Sequence, residues 1–479
     1  MRHAPCWPAA LALSLAAGCG GTDGGGETAL IGGGARPDIV VVVTDDAHLA
    51  HLSYFSETKR TVNEHAMKGV AFRRAYAATP LCCPSRASLL TGLYARTSGI
   101  RLNKEVPPGA RNGGASSFQA LGLENATLAT RLHDAGYRTA FVGKYLNHYD
   151  KTLPAGRVPP GWDVWRGRMV GHFYDYSVSV DGTVVEYGSA PEDYSTDVFR
   201  DFALDAIRTT PAGTPLFLMF STDAPHQPAT PAPRHAGLFP GLEAPDTPNH
   251  PERNRGDKPA WLRGTVYGPE DEAEIDRLHA DGARCMKSVD EAVAAIVREL
   301  GVAGRLDDAL LLVVNDNGMA AGSHGWKEKR APYEEIARVF CAAASRNPAI
   351  VSRRQKTDRL VANVDIAPTL LEVAGVPLDG ALDGLSFASI LRQPAPAVRS
   401  DVLLEYWADE LPESPLPTYC GVVTETRKYV EYANGERELY DLSLDPYELR
   451  NVMAAPEYAA EADALRLRLA ELKSRAGAR

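Results

Sequence analysis

The sequence predicts an α/β protein with a large, mostly parallel central sheet flanked by helices and a smaller C-terminal α+β subdomain. Three observations support this fold class. The chain has 479 residues, 44% of them hydrophobic, which is enough for a large globular core. Short continuous apolar runs rich in β-branched residues alternate with helical stretches, as in a buried parallel sheet. The composition then changes near a Gln-Pro-Ala-Pro segment at residues 393–396.

Residues 1–36 are predicted to be an export signal followed by a glycine-rich tether. A short apolar stretch, residues 7–17, follows two basic residues and is too short to span a bilayer as a mature helix. Residues 15–19 resemble a bacterial lipobox, which makes Cys19 a candidate for lipidation; an ordinary cleaved signal peptide is the alternative. Both alternatives predict an exported protein of the bacterial cell envelope. Membrane contact is expected only through the lipid anchor of the first alternative.

Residues 37–395 are predicted to form a catalytic domain built on four buried strands. The apolar runs are residues 39–43, 139–142, 216–220 and 310–314, and each is followed by polar residues. Because ligands bind beyond the carboxyl ends of the strands in such sheets, we expect the four polar tips to meet in one cleft.

The remaining segments complete the predicted architecture. Residues 289–300 have a helical pattern, with Gly301 as the expected C-cap. Residues 227–269 are rich in proline, glycine and charge, which predicts a long irregular loop. Residues 396–479 are predicted to form the α+β subdomain, with strands at 401–406 and 420–424 and a final amphipathic helix at 457–474.

The charge pattern favours an anionic small-molecule substrate over nucleic acid. The formal net charge is -10, so there is no basic excess for nucleic-acid binding. Lys144, His226 and Lys329 nevertheless lie near the predicted cleft. Lysines supply positive charge for an oxyanion, and a histidine can give a proton to the leaving group. Each alone is more often a surface lysine or a structural histidine, and their shared location is what favours a site.

Two pairs of polar residues predict a metal site. Asp45 and Asp46 follow the first strand, and Asp316 and Asn317 follow the fourth. Buried carboxylates repel one another unless a cation separates them, and oxygen ligands suit Ca²⁺ or Mg²⁺. Either pair alone is more often a turn former. The two pairs together predict one divalent cation.

The most informative segment, residues 81–92, contains Cys-x-Pro-Ser-Arg-x-x-x-Leu-Thr-Gly. Pro84 favours the first turn of a helix, so Cys82 is expected at a helix N-terminus, where the field favours a bound oxyanion. Arg86 lies about one turn further along the same face. A buried cysteine beside a structural arginine is the usual interpretation of an isolated cysteine, but this match extends over eleven residues.

This pattern resembles the signature of type I sulfatases of the alkaline phosphatase superfamily, in which the first cysteine is oxidised to Cα-formylglycine (3-oxoalanine). Residues 136–145 resemble the second sulfatase signature, and residues 364–369 and 439–442 resemble further hallmarks of the family. The resemblance runs from about residue 37 to residue 451. The doubled cysteine and residues 143–147 and 329–334 are most similar to the N-acetylglucosamine-6-sulfatase and heparan endosulfatase branch.

The resemblance implies an alkaline phosphatase-like fold and a hydrolase that cleaves a sulfate monoester, either an aryl or a carbohydrate sulfate. It implies that one cation, normally Ca²⁺, is held by Asp45, Asp46, Asp316, Asn317 and the formylglycine derived from Cys82. Arg86 would stabilise the formylglycine hydrate, and Lys144, His226 and Lys329 would bind the sulfate and the leaving oxygen. A formylglycine-generating enzyme is then a partner during maturation.

One departure from the family pattern is visible. Many sulfatases have a histidine two residues after the lysine of the second signature, whereas this chain has Leu146, with His148 nearby but shifted.

Two alternative functions and the pairing of the cysteines in disulfide bridges stay open at this point. The chain could be a formylglycine-dependent phosphonate monoester or phosphodiester hydrolase, since the two oxyanions share their geometry. It could also be a catalytically silent, sulfoglycan-binding surface protein. The other cysteines, Cys83, Cys285, Cys341 and Cys420, could form two bridges whose pairing the sequence does not assign.

Overall fold

The structure is a computed structural model that describes residues 36–152, 157–378, 380, 382–408 and 414–477. The predicted signal and Cys19 lie outside the described residues. Within these ranges, no helix has both the length and the apolar character needed to cross a membrane.

The central feature is an 11-stranded sheet that confirms the predicted α/β class. Its strand order is β10-β2-β9-β8-β1-β7-β3-β4-β5-β6, and β11 pairs with β2. Six of its pairings are parallel and four are antiparallel, so the sheet is mostly parallel. The strands are β1 (Ile39–Thr44), β2 (Lys68–Tyr76), β3 (Arg138–Gly143), β4 (Val164–Arg168), β5 (Tyr176–Val180), β6 (Thr183–Tyr187), β7 (Leu216–Ser221), β8 (Leu310–Asn315), β9 (Arg338–Ser345), β10 (Gln355–Thr357) and β11 (Val361–Ala362).

Helices cover both faces of this sheet, which explains why its central strands are apolar along their whole length. The α-helices in the described part of the chain are α1 (Ser56–Glu64), α2 (Cys82–Thr91), α3 (Ala95–Ser98), α4 (Gly114–Ala120), α5 (Leu128–Asp134), α6 (Tyr149–Thr152), α7 (Ser195–Thr209), α8 (Ala260–Arg263), α9 (Pro269–Val302), α10 (Glu334–Ala337), α11 (Ile366–Val373), α12 (Ala388–Arg392) and α13 (Ala459–Gly477). In β1, Val41 and Val43 pack in one core with α2, α5 and α11, whereas Val40 and Val42 pack in a second core with α7 and α9.

The four strands predicted to carry the site are neighbours in the order β8-β1-β7-β3, and all run parallel. Their ends are level, because Thr44 pairs with Asn315, and Ser221 pairs with both Val43 and Gly143. The polar residues that follow these strands therefore leave the sheet along one edge, as expected from the sequence.

A separate antiparallel sheet follows in the C-terminal part of the chain, as predicted. Its strands, in the order β12-β13-β14-β15, are Asp401–Tyr406, Tyr419–Thr424, Arg427–Tyr432 and Arg437–Asp441, and α13 packs against it. The division of the chain at residue 395 stays a prediction.

The helix expected at residues 289–300 is much longer than predicted. Helix α9 begins at Pro269, where the Gly268 N–H donates to the Asp271 carboxylate (2.8 Å), and it continues through Gly301 to end at Val302. Gly301 is therefore inside the helix, and Ala303 is the C-cap. The first turns of α9 are rich in charged residues, so the sequence shows the apolar spacing of a helix only in its later turns.

The described cysteines form no disulfide bridge. Cys285 and Cys341 are buried free thiols, and Cys420 is a half-buried one. The two bridges left open by the sequence are therefore not formed.

Candidate active site

Helix α2 presents Cys82 at its first position, at the edge where the four strands end. Leu81 is extended and serves as the N-cap, and Gly92 ends the helix in the left-handed conformation (φ 70°). All ten residues of α2 are buried, so the helix is enclosed by packing on every side. The Cys83 N–H donates to the Asn103 side-chain oxygen (2.9 Å), which satisfies one of the amide groups at the helix start.

The Cys82 side chain lies among charged groups although it is only 1% exposed. Its Sγ is 2.9 Å from the Lys329 Nζ, 3.6 Å from the Asp45 Oδ1 and 3.8 Å from the Asp46 Oδ1. Burial raises the pKa of the Cys82 thiol to about 12, although the lysines nearby lower it. An unmodified cysteine here is therefore a protonated thiol at neutral pH and a poor nucleophile.

Three carboxylates meet at the ends of β1 and β8. Asp46 has a left-handed backbone (φ 60°), an unfavourable conformation for a residue with a side chain. Its N–H donates to the Asp316 Oδ1 (3.1 Å), which also accepts the Asn317 N–H (2.8 Å). Burial, and next the charge of Asp45, raise the pKa of Asp316 to about 7. This raised pKa reflects like charges crowded in a low dielectric.

Asn317 shows that this cluster fits a cation. Its Nδ2 donates to the Asp46 Oδ1 (2.8 Å), but its Oδ1 is buried and has no hydrogen-bond partner. A buried amide oxygen without a donor is costly unless something positive faces it. Together with three carboxylates it forms an oxygen-rich donor set of the kind that hard divalent cations prefer. Ligand atoms of Asp45, Asp46, Cys82 and His226 also lie within 4.8 Å of one another.

Three buried cations balance the three carboxylates. The Arg86 Nε donates to the Asp316 Oδ2 (2.8 Å), and its Nη1 donates to the Lys144 carbonyl (2.8 Å) and the Ser221 hydroxyl (2.7 Å). Lys144 pairs with Asp45, and the Lys329 Nζ is 2.7 Å from both Asp46 oxygens. Burial alone would raise the pKa of Asp45, but the charge of Lys144 and its neighbours holds it well below the usual range.

His226 reaches the cluster from the loop after β7. Its Nε2 is 3.5 Å from the Asp46 Oδ2, and its Nδ1 lies 2.6 Å from the Gln227 carbonyl oxygen. An Nδ1–H that donates to this carbonyl leaves the Nε2 facing the site. A quarter of the side chain is exposed, so His226 stands at the mouth of the cluster.

Sequence reasoning missed the residues that support His226. The ring of His172 stacks on it, with centroids 5.3 Å apart and planes 12° apart. The His172 Nδ1 is 3.4 Å from the Asp223 Oδ1, and the Arg168 Nε is 2.9 Å from the Asp223 Oδ2. His172 lies between β4 and β5, away from the four strand tips, so no spacing in the sequence links it to His226.

The structure brings together every site residue that the sequence singled out on the four strands and α2. Leu146, where many sulfatases have a histidine, is 3% exposed and packs in the apolar core. His148 follows on the next loop with a left-handed backbone (φ 61°) and is half-buried.

Comparisons with known proteins show the family to which this chain belongs. Residues 37–376 match the sulfatase family, and residues 322–475 match the family described as N-sulphoglucosamine sulphohydrolase, C-terminal. The chain is 31% identical to the N-acetylglucosamine-6-sulfatase of Capra hircus over 476 residues, covering 91% of this chain and 82% of the relative. The chain therefore belongs to the sulfatase family, and it is an enzyme that hydrolyses sulfate esters.

Solved structures agree with this fold. One, determined in complex with its substrate D-glucosamine-2-N,6-O-disulfate, superposes with a TM-score of 0.75 at 24% identity, covering 92% of this chain and 98% of that one. A phosphonate monoester hydrolase of Agrobacterium radiobacter gives a TM-score of 0.71 at 20% identity, covering 92% and 96%. At these identities the similarity concerns the fold alone.

Proposed function

We propose that the chain cleaves an aryl or carbohydrate sulfate monoester, using formylglycine at position 82 and one divalent cation. The cation would be Ca²⁺, or Mg²⁺, held by Asp45, Asp46, Asp316, Asn317 and the residue at 82. The observation that carries the proposal is the location of the Cys82 side chain, which contacts two carboxylates of an oxygen-rich cluster and a buried lysine. In this geometry the sulfur stands in for an oxygen of the modified residue.

The modified residue and the cation would supply the chemistry of the reaction. When present, the hydrated aldehyde supplies one hydroxyl that displaces the alcohol from sulfur and a second whose deprotonation releases sulfate, while the cation polarises the reacting oxygens. A hydroxyl or thiol side chain offers no second group of this kind.

The chain's own residues would bind the anion and place it. Lys144 and Lys329 are buried ammonium groups in this cluster, and each is now paired with a carboxylate. A divalent cation among the carboxylates would take over that pairing and free both lysines for the sulfate oxygens. The charge count agrees, because three carboxylates and three side-chain cations sum to zero and the metal then adds the positive charge that an anion needs.

Arg86 and His226 would have different roles. Arg86 is 1% exposed and is tied to Asp316 and Ser221, so it would hold the residue at position 82 and its carboxylates in register. His226 is the partly exposed group at the mouth, and in its doubly protonated form its Nε2–H would give a proton to the departing oxygen. The stacked His172 would keep that ring in place.

Release of sulfate from a panel of esters tests this function. Protein produced with a formylglycine-generating enzyme is expected to release sulfate from aryl and sugar sulfates, whereas Cys82→Ala produced in the same way is not. Cys285→Ala is the matched control, because it removes a buried cysteine away from the site. Equal sulfate release by the Cys82→Ala variant would contradict the proposal.

A phosphonate monoester or phosphodiester hydrolase is the second candidate, and the likeness to the Agrobacterium radiobacter fold is the observation in its favour. Comparing kcat/KM on matched aryl sulfate, phosphonate and phosphodiester substrates separates the two. A silent sulfoglycan-binding protein would bind sulfated sugars but turn over none of these. Location in the cell envelope and a lipid anchor at Cys19 stay predictions from the sequence.

A further inference from the structure

A second cluster of possible metal ligands shares no residue with the active-site cluster. A ring nitrogen of His324 and carboxylate oxygens of Glu335 and Glu448 lie within 4.8 Å of one another. His324 lies in a 3-10 turn after β8, Glu335 lies in α10, and Glu448 follows β15. None of the three residues is more than 9% exposed. The fold therefore brings three distant segments together at one buried polar point.

The His324 ring has the support that metal-binding histidines usually have. Its Nδ1 is 2.6 Å from the Glu252 Oε2, and the other oxygen of this carboxylate is 3.2 Å from the Lys258 Nζ. Because a carboxylate only accepts hydrogen bonds, the Nδ1 carries a proton, and the Nε2 is the nitrogen that can bind a cation. A histidine ligand commonly donates its other ring N–H to a carboxylate in this way.

Glu335 gives an independent indication of a cation. Its Oε1 accepts a hydrogen bond from the Asn249 Nδ2 (2.9 Å). Its Oε2 is buried and has no hydrogen-bond partner in the part of the chain that the structure describes. A buried carboxylate oxygen without a donor is costly unless a positive group faces it.

Carboxylates outnumber cations around this cluster. The Lys428 Nζ is shared between two of them, since it is 2.9 Å from the Glu334 Oε1 and 2.7 Å from the Glu448 Oε1. The groups joined by these contacts in the described residues are the carboxylates of Glu252, Glu334, Glu335 and Glu448 and the cations Lys258, Lys428 and Arg338. An excess of negative charge remains in a buried region, which favours one more positive charge.

We infer that the His324 Nε2, Glu335 and Glu448 bind a structural Zn²⁺ ion. A nitrogen ligand with few oxygen ligands favours Zn²⁺ over Ca²⁺, which takes roughly six to eight oxygens. Ligand atoms around a tetrahedral zinc ion lie about 3.4 Å apart, so these atoms would approach one another by at most about 1.4 Å. Rotation of the two glutamate side chains is enough for this movement. The inference does not depend on the proposed function.

Asn249 would provide the fourth ligand. Its Nδ2 is 3.2 Å from the His324 Nε2, and its Oδ1 accepts the Thr247 hydroxyl (2.7 Å). A half-turn of the amide would direct its oxygen at the ion and let its nitrogen donate to the Thr247 oxygen. The ion would then join four segments of the chain, two of which flank Lys329 in the sequence, so its binding should raise Tm.

The test is zinc binding by metal-free protein in excess Ca²⁺, measured by competition with a chelator and by thermal denaturation. We expect the wild-type protein to bind one Zn²⁺ per chain and to gain Tm. Glu335→Gln should weaken zinc binding at least about a hundredfold and abolish the gain in Tm. This variant should still fold, because it keeps the side-chain volume and removes a buried charge. Glu252→Gln changes only the support of the histidine ring and should weaken binding about ten- to a hundredfold.

Two further variants serve as controls. His235 is also a buried histidine, with its Nε2 2.9 Å from a carboxylate oxygen of Glu291, but it lies outside the cluster. His235→Gln should therefore bind zinc as the wild-type protein does. Asp46→Asn disrupts the active-site cluster and should also keep the zinc ion.

Three results would overturn the inference. The first is a wild-type protein that binds no Zn²⁺ in excess Ca²⁺, in which case a doubly protonated His324 supplies the missing positive charge. The second is loss of zinc in Asp46→Asn but not in Glu335→Gln, which would place the ion at the active site. The third is an equal loss in His235→Gln, which would make the effect one of general stability.

Discussion

Replacing Lys329 by methionine removes one charge from the centre of the proposed site and keeps most of the side-chain volume. The Lys329 Nζ lies 2.7 Å from both Asp46 oxygens and 2.9 Å from the Cys82 Sγ, and its side chain is 9% exposed. Although burial alone would lower it, the charge of Asp46 raises the pKa of Lys329, so the group is a permanent cation. The substitution therefore affects both stability and catalysis.

The two effects have different sizes. Removing one partner of a buried ion pair costs about 3–5 kcal/mol, and we expect the lower end because Asp46 keeps the Asn317 amide at 2.8 Å. Loss of one preorganised group that stabilises developing negative charge costs about 10²- to 10³-fold in rate. Lys329→Met should therefore lower kcat/KM by at least about a hundredfold and the free energy of unfolding by about 3 kcal/mol without metal.

The assay is steady-state hydrolysis of a small aryl sulfate, with urea denaturation of the same samples in EDTA. Lys327→Met is the matched control, because this lysine is 43% exposed and forms a surface pair with Asp271 worth about 0–1 kcal/mol. If Lys329→Met keeps activity within about threefold of the control, Lys329 does not bind the reacting anion and the assignment is wrong.

The remaining predictions concern the backbone, pH and the metal. Gly143→Ala, at φ 104°, would drive a Cβ into the Ser221 carbonyl, so it should cost at least about 2 kcal/mol in urea denaturation and displace Lys144, with loss of sulfatase activity. Burial alone would raise the pKa of Glu291, but the hydrogen bond to His235 helps to lower it to about 2. A folded-state pKa below the unfolded value adds stability that is present above pH 4.5 and lost as the pH falls towards 2. After allowance for solvent screening, Glu291→Gln should therefore lower the free energy of unfolding by about 1 kcal/mol at pH 7 and by nearly nothing at pH 2. Dialysis against EDTA should abolish turnover and lower Tm. Addition of Ca²⁺ at about 100 times its Kd should then restore about 2.7 kcal/mol of stability. Unchanged Tm and activity after dialysis would contradict the metal site.

The site residues that could be predicted from the sequence follow directly after a predicted strand or lie within one predicted helix. Residues 39–43 and 310–314 are continuous apolar runs. Such runs are typical of strands in a sheet whose two faces are both covered. That condition also fixes where the following polar residues emerge, so Asp45 and Asp316 could be assigned to one edge. Cys82 and Arg86 could be placed near each other because both lie in one helix, about one turn apart.

The rest depends on contacts between distant segments. His172 and Asp223 come from separate elements, and only the folded chain brings them together behind His226. The 3-10 helix Leu49–Tyr54 packs against α9, whose start at Pro269 is not evident from the sequence because its first turns are charged. Gly282 in α9 indicates this contact in the sequence, since a glycine inside a helix often marks a close approach, and here a Cβ would lie 2.8 Å from the His51 Cε1.

The presence of formylglycine is tested by the mass of the proteolytic peptide that contains Cys82, taken from protein of the native host. We expect an aldehyde in place of the thiol, captured by a hydrazide reagent, in a fraction that increases in proportion to sulfatase activity from one preparation to the next. An intact thiol at position 82 in protein that still cleaves sulfate esters would contradict it.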